Sequence, residues 1–487
     1  MGAAKPSADV TAQRAAAETW IGAAALRRLD ERVGAALRRA RSTGRPLIVS
    51  VTGEPRPNLD PTAVAVGSRG RGADWFCFEQ PDRQGAALAA IGALRRLEAR
   101  GEDRFVQVAR RWRALSASAL ADAAQGPPGS GLVAVGGFAF ADDGGGSEAW
   151  SAFPPASLIV PHLSLARRGG VTAVTVNVEV APDDAPGDAQ ARATAHLAEL
   201  RRTGLPLLDP NPAGAYRVHS PMPPSHYEEA VSRGVQRIRA GEVEKVVLAR
   251  EVEVHAPAPH DPGAILGLLR QEFPSCYVFA VGRGESTFLA ASPEILVRRE
   301  GQRASTVALA GSIGRSADPA VDDHLGERLL RSEKDREENA IVARRISRTL
   351  APLSVWTTAA PEPVLVRVAN IQHLATPIRA QLADAVPVIE LAGILHPTPA
   401  VGGEPREPAV RMIPALEGID RGWYAGAVGW TDTSGDGEFC VALRCALLSG
   451  ARARLYAGCG IVRDSDPAAE LSETEVKLAA LLPALAG

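Results

Sequence analysis

Six prolines between Leu205 and Pro224, at positions 206, 210, 212, 221, 223 and 224, constrain this chain more than any other feature. Proline has no amide donor and a fixed φ, so a segment this dense excludes regular structure and is expected to connect two lobes. The division leaves residues 1–204 as an N-terminal lobe, 205–224 as the connector and 225–487 as a second region with longer elements. Polar residues stand inside apolar stretches in that second region.

In the first lobe, periodicity predicts helices over Ala12–Ala40, Gly85–Arg100, Arg104–Ala124 and Ala189–Arg202. Strands are expected at Pro46–Thr52, Asp74–Phe78, Leu132–Ala141 and Val171–Val180. Beyond the connector, Ser225–Ala240 reads as a helix and Lys245–Val254 as a strand. Phe288–Leu296 and Ala304–Ala310 read as paired strands around Glu300-Gly301. A long helix is expected over Asp322–Leu350 and a shorter one over Val386–Leu395. Strands follow at Trp423–Trp430, Glu438–Leu448 and Arg454–Ile461. The last helix runs over Ala468–Leu485, with Asp466 as N-cap and Pro467 at its first position. Strands and helices do not alternate strictly, so the fold class is α+β. Large mixed or antiparallel sheets, packed together and flanked by helices, are expected.

Bulk properties exclude several functions. The formal charge of -2 gives no electrostatic case for a nucleic-acid or membrane partner. No apolar run reaches the ~18 residues of a membrane-spanning helix, and the N-terminus lacks the apolar core of a secretory signal. The five cysteines are odd in number and irregularly spaced, which fits a reducing cytoplasm. Cys440 and Cys445 lie an odd number of residues apart in an apparent strand, so they are expected on opposite faces as small core residues.

Some polar groups demand a reason. Asp335 and Glu338 share a helical face, as do Glu470 and Glu473, with Lys477 four residues further on. Two such acidic pairs could converge on a hard cation, although spacing alone favours a solvated helix face with internal ion pairs. Arg444 lies between apolar neighbours in a strand and so takes an anionic partner, either a protein carboxylate or a ligand. Glu294 is similarly flanked, and Lys245 heads its strand. Leu309-Ala310-Gly311 and Ala457-Gly458-Cys459-Gly460 end strands where backbone could approach a ligand closely.

Taken together these segments resemble the chorismate-utilising enzymes. The resemblance is carried by KVVLAR (245–250), SPEIL (292–296), ALAG (308–311), SEKDREE (332–338), QHLAT (372–376), HPTPAVGG (396–403), DRGWYAGAVGW (420–430), GDGEF (435–439), AGCGIV (457–462) and ELSETEVK (470–477). In the first lobe GGFAF (136–140), Trp150 and Phe153-Pro154 look like landmarks of the longer isochorismate-forming members.

The resemblance implies the substrate chorismate, a Mg2+ cofactor and a set of roles. Lys245 would activate water at C2 and Glu294 would protonate the departing 4-hydroxyl, which requires a neutral amine and a protonated carboxyl near neutral pH. Glu338 and Glu470 match metal ligands, with Glu473 close by and Asp335 acting through water. Tyr424 and Arg444 match binders of the enolpyruvyl carboxylate, aided by backbone near Gly460; Lys477 matches a lysine near the ring carboxylate. His373 and Gly311 match further pocket residues, and Asn339 replaces a histidine common after the metal glutamate. Lys245 stands where ammonia-using members have glutamine, so no glutaminase subunit is expected. Ala400 stands where salicylate-forming members carry threonine. These two positions select isochorismate formation, for menaquinone or siderophore synthesis, over release of salicylate and pyruvate. Members of the family are commonly monomers.

Overall fold

In a computed structural model, residues 8–123, 125–209 and 214–486 are described, and they form two large β-sheets with helices around them. The larger sheet has 14 strands and the smaller has 10. Neighbouring strands are antiparallel, apart from Leu47–Thr52, which runs parallel to Leu120–Ala121. None of the described helices is long and apolar enough to cross a membrane.

The period-two pattern of the strands assigns side chains to layers. Phe76, Phe78, Phe279 and Phe288 of the larger sheet meet Val135, Phe138 and Phe439 of the smaller in one core between the sheets. Cys77, Val278, Ala280 and Leu289 point the other way, under the helix Pro262–Glu272. A third cluster seats the helices Ala8–Ile21, Ala23–Thr43 and Asp188–Ala198 on Leu47–Thr52 and Val171–Val180. Both sheets run across the proline-rich segment: Trp75–Gln80 pairs with Tyr277–Arg283, and Val133–Phe138 with Ala427–Asp432.

Several expected elements are divided, and the breaks matter. Phe288–Leu296 is two strands, Ser286–Ser292 in the larger sheet and Ile295–Glu300 in the smaller. Glu438–Leu448 is likewise Gly437–Val441 in the smaller sheet and Cys445–Ser449 in the larger. Cys440 and Cys445 therefore lie in different sheets, not on two faces of one strand; all five cysteines are buried and free. The strand expected at Trp423 begins at Ala427. The helix expected over Asp322–Leu350 is interrupted at Ser332, whose hydroxyl accepts from the Asp335 amide and caps the second segment, Glu333–Leu350. Gly22, at φ 83, divides the first helical stretch. The last helix stops at Leu478, and Asp466 caps it with Pro467 in its first turn as expected.

Two expectations fail outright. Gly85–Arg100 forms the strands Ala86–Ile91 and Arg95–Ala99, not a helix. Alanine favours helix, but Ala87, Ala89 and Ala90 are buried inside the larger sheet, where packing overrides propensity. Within the connector, Arg217–His219 makes a short edge strand on Lys245–His255, possible because its three residues contain no proline.

Candidate active site

Two of the chain's crossings between the sheets end at one cavity, and each delivers a functional side chain. At the first, Pro293 and Glu294 separate Ser286–Ser292 from Ile295–Glu300. At the second, Arg444 adopts a left-handed φ of 47, which turns the chain out of the smaller sheet. The crossings are stitched together, since the Val441 amide donates to the Glu294 carbonyl at 3.0 Å and the Ala291 amide to the Arg444 carbonyl at 3.1 Å.

The cavity is lined by Glu294, Gly311, Glu338, His373, Ala400, Tyr424, Arg444, Gly460, Glu473 and Lys477, together with Ser312, Tyr456 and Gly458. Lys245 stands directly behind this lining, fully buried, with its Nζ 2.8 Å from Glu338 Oε1. That is ion-pair distance, although the angles do not make a hydrogen bond. Glu470 turns to Lys334, 3.2 Å away, and Asp335 sits behind Gly311; neither lines the cavity.

Backbone irregularity shapes the walls. Between Leu309 and Ser312 the pairing of Arg303–Gly314 with Ile371–Leu382 shifts, and Gly311 takes φ 78. A Cβ there would lie 3.0 Å from Asp335 Cβ, so the first turn of Glu333–Leu350 rests on the bulge. Asn339 fixes that helix from within. Its buried amide donates to the Ala308 and Leu374 carbonyls at 3.1 and 3.0 Å, and its oxygen accepts from the Thr376 hydroxyl at 2.6 Å. The residue after Glu338 thus ties the helix to both neighbouring strands. On the opposite wall Tyr424 stacks on Tyr456 with ring centroids 5.3 Å apart.

Electrostatics divides the polar groups. Three carboxylates face three lysines: Glu338 with Lys245, Glu470 with Lys334 and Glu473 with Lys477, the last at 2.8 Å. Glu294 makes no such pair. Burial raises its pKa to about 8 against the opposing pull of Lys245 and Lys477, so it is protonated at neutral pH. Arg444 is buried with no carboxylate partner among the described residues, and its Nη1 has no hydrogen bond. Its Nη2 lies 2.5 Å from His373 Nε2. Guanidinium only donates, so Nε2 accepts and His373 is the neutral Nδ1–H tautomer. Burial, with Arg444 close by, also pushes the His373 pKa well below its ordinary value. Burial raises the pKa of Glu470, helped by Glu473. Cys459 is beside these two, but burial drives its thiol pKa far up and keeps it neutral.

Sequence reasoning missed Ser312, Lys334 and Tyr456. Ser312 donates to Glu473 at 2.6 Å. Lys334 adjoins Asp335 in the same acidic stretch, and Tyr456 shares the face of Gly458 and Gly460 by strict alternation. Both were therefore findable.

Comparison with known proteins identifies the family. A family described as chorismate binding enzyme matches residues 35–486. The salicylate biosynthesis isochorismate synthase of Pseudomonas aeruginosa is 39% identical over 453 residues, covering 92% of each chain. The isochorismate synthase MenF of Bacillus subtilis is 31% identical over 463 residues, covering 93% of this chain and 96% of that one. The solved structure of MenF, the menaquinone-specific isochorismate synthase from Escherichia coli, superposes with a TM-score of 0.75 at 28% identity, covering 92% of this chain and all of the other. The chain belongs to the chorismate binding enzyme family.

Proposed function

We propose that this chain interconverts chorismate and isochorismate, adding water at C2 and expelling the 4-hydroxyl. One observation carries the reading: a buried guanidinium without a carboxylate, Arg444, shares its cavity with Glu294, a carboxyl that keeps its proton at neutral pH. The first asks for an anionic ligand and the second is poised as a general acid.

In the forward direction Lys245, as the amine, takes a proton from the water whose oxygen bonds to C2. The two ring double bonds each shift by one position, the C4–O bond breaks, and Glu294 gives its proton to the leaving hydroxyl. One water enters and one departs, so the product is an isomer. The reverse reaction uses Lys245 as acid and Glu294 as base. Arg444 and Tyr424 hold the enolpyruvyl carboxylate, and Lys477 lies on the side of the ring carboxylate. Water is the nucleophile, so neither ammonia nor a glutaminase subunit is required. The named relatives serve salicylate and menaquinone synthesis, and isochorismate formation is what their names share.

The acidic cluster fits Mg2+. Its donors are hard carboxylate oxygens, and Glu338, Glu470 and Glu473 each already have a lysine nitrogen within 3.2 Å. Glu338 and Glu470 would hold the ion, with Glu473 adjacent and Asp335 acting through water. When bound, it supplies positive charge for the ring carboxylate of the substrate.

The test is incubation with chorismate and Mg2+, with products separated by chromatography. Isochorismate in equilibrium with chorismate is expected, lost on chelation and restored by Mg2+. Salicylate with pyruvate would replace this reading by an eliminating one, and no conversion would overturn both.

A further inference from the structure

A second cluster of metal-ligating side chains lies at the edge of the larger sheet. The edge strand Arg217–His219 pairs with the end of Lys245–His255, so that His219 stands opposite Glu253 and Arg217 opposite His255. Glu253 and His255 are two apart on one strand, which brings all three ligating residues to the same face. His255 Nε2 is 3.0 Å and His219 Nε2 3.7 Å from the same oxygen, Glu253 Oε2. The imidazole rings are 5.3 Å apart, and one donor atom from each residue lies within 4.8 Å of the other two.

The two carboxylate–imidazole separations bracket those of a coordination sphere. Donors held ~2.0–2.2 Å from a tetrahedral ion lie about 3.3–3.6 Å from one another. The carboxylate is also held in place, because Arg454 Nη1 binds its other oxygen at 2.8 Å and leaves Oε2 to the histidines. Arg454 is shared with Glu251, at 2.7 Å, and Arg217 and Arg452 flank His255 on the two neighbouring strands, so what the patch offers an ion is a fixed donor set and not an excess of negative charge. Glu253 is nearly buried while the imidazoles are open to solvent, which gives an ion a fixed anionic anchor and a path of entry.

We infer that His219, Glu253 and His255 form a binding site for a borderline divalent transition ion, Zn2+ foremost, with water completing the sphere. Two imidazoles and one carboxylate favour such an ion over Mg2+, which prefers oxygen throughout. The site is separate from the chorismate cavity. Glu253 is eight residues along its strand from Lys245, or roughly 26 Å at about 3.3 Å per residue. A bound ion would clip the proline-rich connector to the sheet, because Arg217–His219 is the connector's only strand among the described residues.

The test titrates Zn2+ into the untagged full chain with Mg2+ and chorismate present, against a chromogenic chelator. Comparison proteins are His219→Ala and His255→Ala. Loss of groups that merely support a ligand costs about 10- to 100-fold in metal affinity, so loss of a ligand should weaken Zn2+ binding at least tenfold in either variant. Co2+ should give visible ligand-field bands in the parent protein that both variants lack, and chorismate conversion should be the same in all three. Zn2+ bound equally well by both variants, or no Zn2+ bound by the parent, would overturn the inference. The result is independent of whether isochorismate is the product.

Discussion

Glu294→Gln should abolish turnover and yet stabilise the ligand-free protein, increasingly so as pH rises. An ordinary glutamate ionises near 4.5, whereas burial places the Glu294 pKa at about 8. Between these values the folded chain holds a proton that the unfolded chain has released. Unfolding is then favoured by rising pH, and the penalty grows by about 1.4 kcal/mol per pH unit. Across the whole window this amounts to roughly 5 kcal/mol, an order of magnitude only. Glutamine keeps the shape and cannot ionise, so the variant escapes the penalty. Urea unfolding of both proteins at pH 5, 6.5 and 8, without substrate or Mg2+, measures the difference directly. The variant's advantage should widen at each step, by about 4 kcal/mol from pH 5 to pH 8. The parent's turnover should also fall as pH passes about 8, when the acid loses its proton. An advantage that stays constant with pH would refute the buried-acid argument, whatever happened to activity.

Arg444→Met should raise the KM for chorismate about 30-fold or more, since losing one partner of a buried charge pair costs ~2–5 kcal/mol. The same change should raise the melting temperature of the ligand-free protein, because Arg444 is a desolvated charge without a carboxylate. Gly460→Ala places a methyl against Glu338 Oε1 and 2.6 Å from Lys245 Cε. A displacement of that size should cut kcat by about 100-fold with circular dichroism unchanged. Asn339→Ala strands two buried carbonyls and the Thr376 hydroxyl. Denaturant titration should show a loss of about 2–4 kcal/mol.

The polar half of the site was legible because its residues contradict their surroundings. Arg444 between apolar neighbours asks for an anionic partner in the sequence itself, whereas the paired acids on two helices read first as solvated faces and took their roles from the resemblance. The backbone half was hidden. Periodicity reads Phe288–Leu296 and Glu438–Leu448 as single strands, since apolar alternation continues through the points where the chain changes sheets. Only tertiary pairing reveals that Glu294 and Arg444 occupy those points. Local spacing also left Lys477 with two uses, and the structure shows both, an i,i+4 ion pair with Glu473 and a place in the cavity. The Gly85–Arg100 error has the same origin: an alanine-rich run carries helix propensity but no record of the strands on either side of it.

Residues before the connector carry few polar signals, and their contribution to the site is steric. Trp150 lies edge-on to Phe153 and Phe288 and against Tyr456, with centroids 5.8, 5.2 and 5.8 Å away. Phe153 in turn meets Trp423. Gly422 has φ 49 and admits the Trp150 ring where any Cβ would collide with it. Gly137 leaves comparable room for Trp423, since a Cβ there would come within 2.6 Å of its ring. These contacts set the position of Tyr424 and Tyr456, the stacked pair on the cavity wall, from behind. Arg421 locks the same wall laterally, giving hydrogen bonds to the Val247 and Val401 carbonyls at 2.9 Å while its guanidinium lies over the Phe140 ring. Phe140 and Trp150 come from the first half of the chain, and Val247 and Val401 from the second. The cavity wall is therefore a joint product of both halves. Its precision depends on aromatic packing and glycine clearances, which have no chemical signature of their own in the sequence.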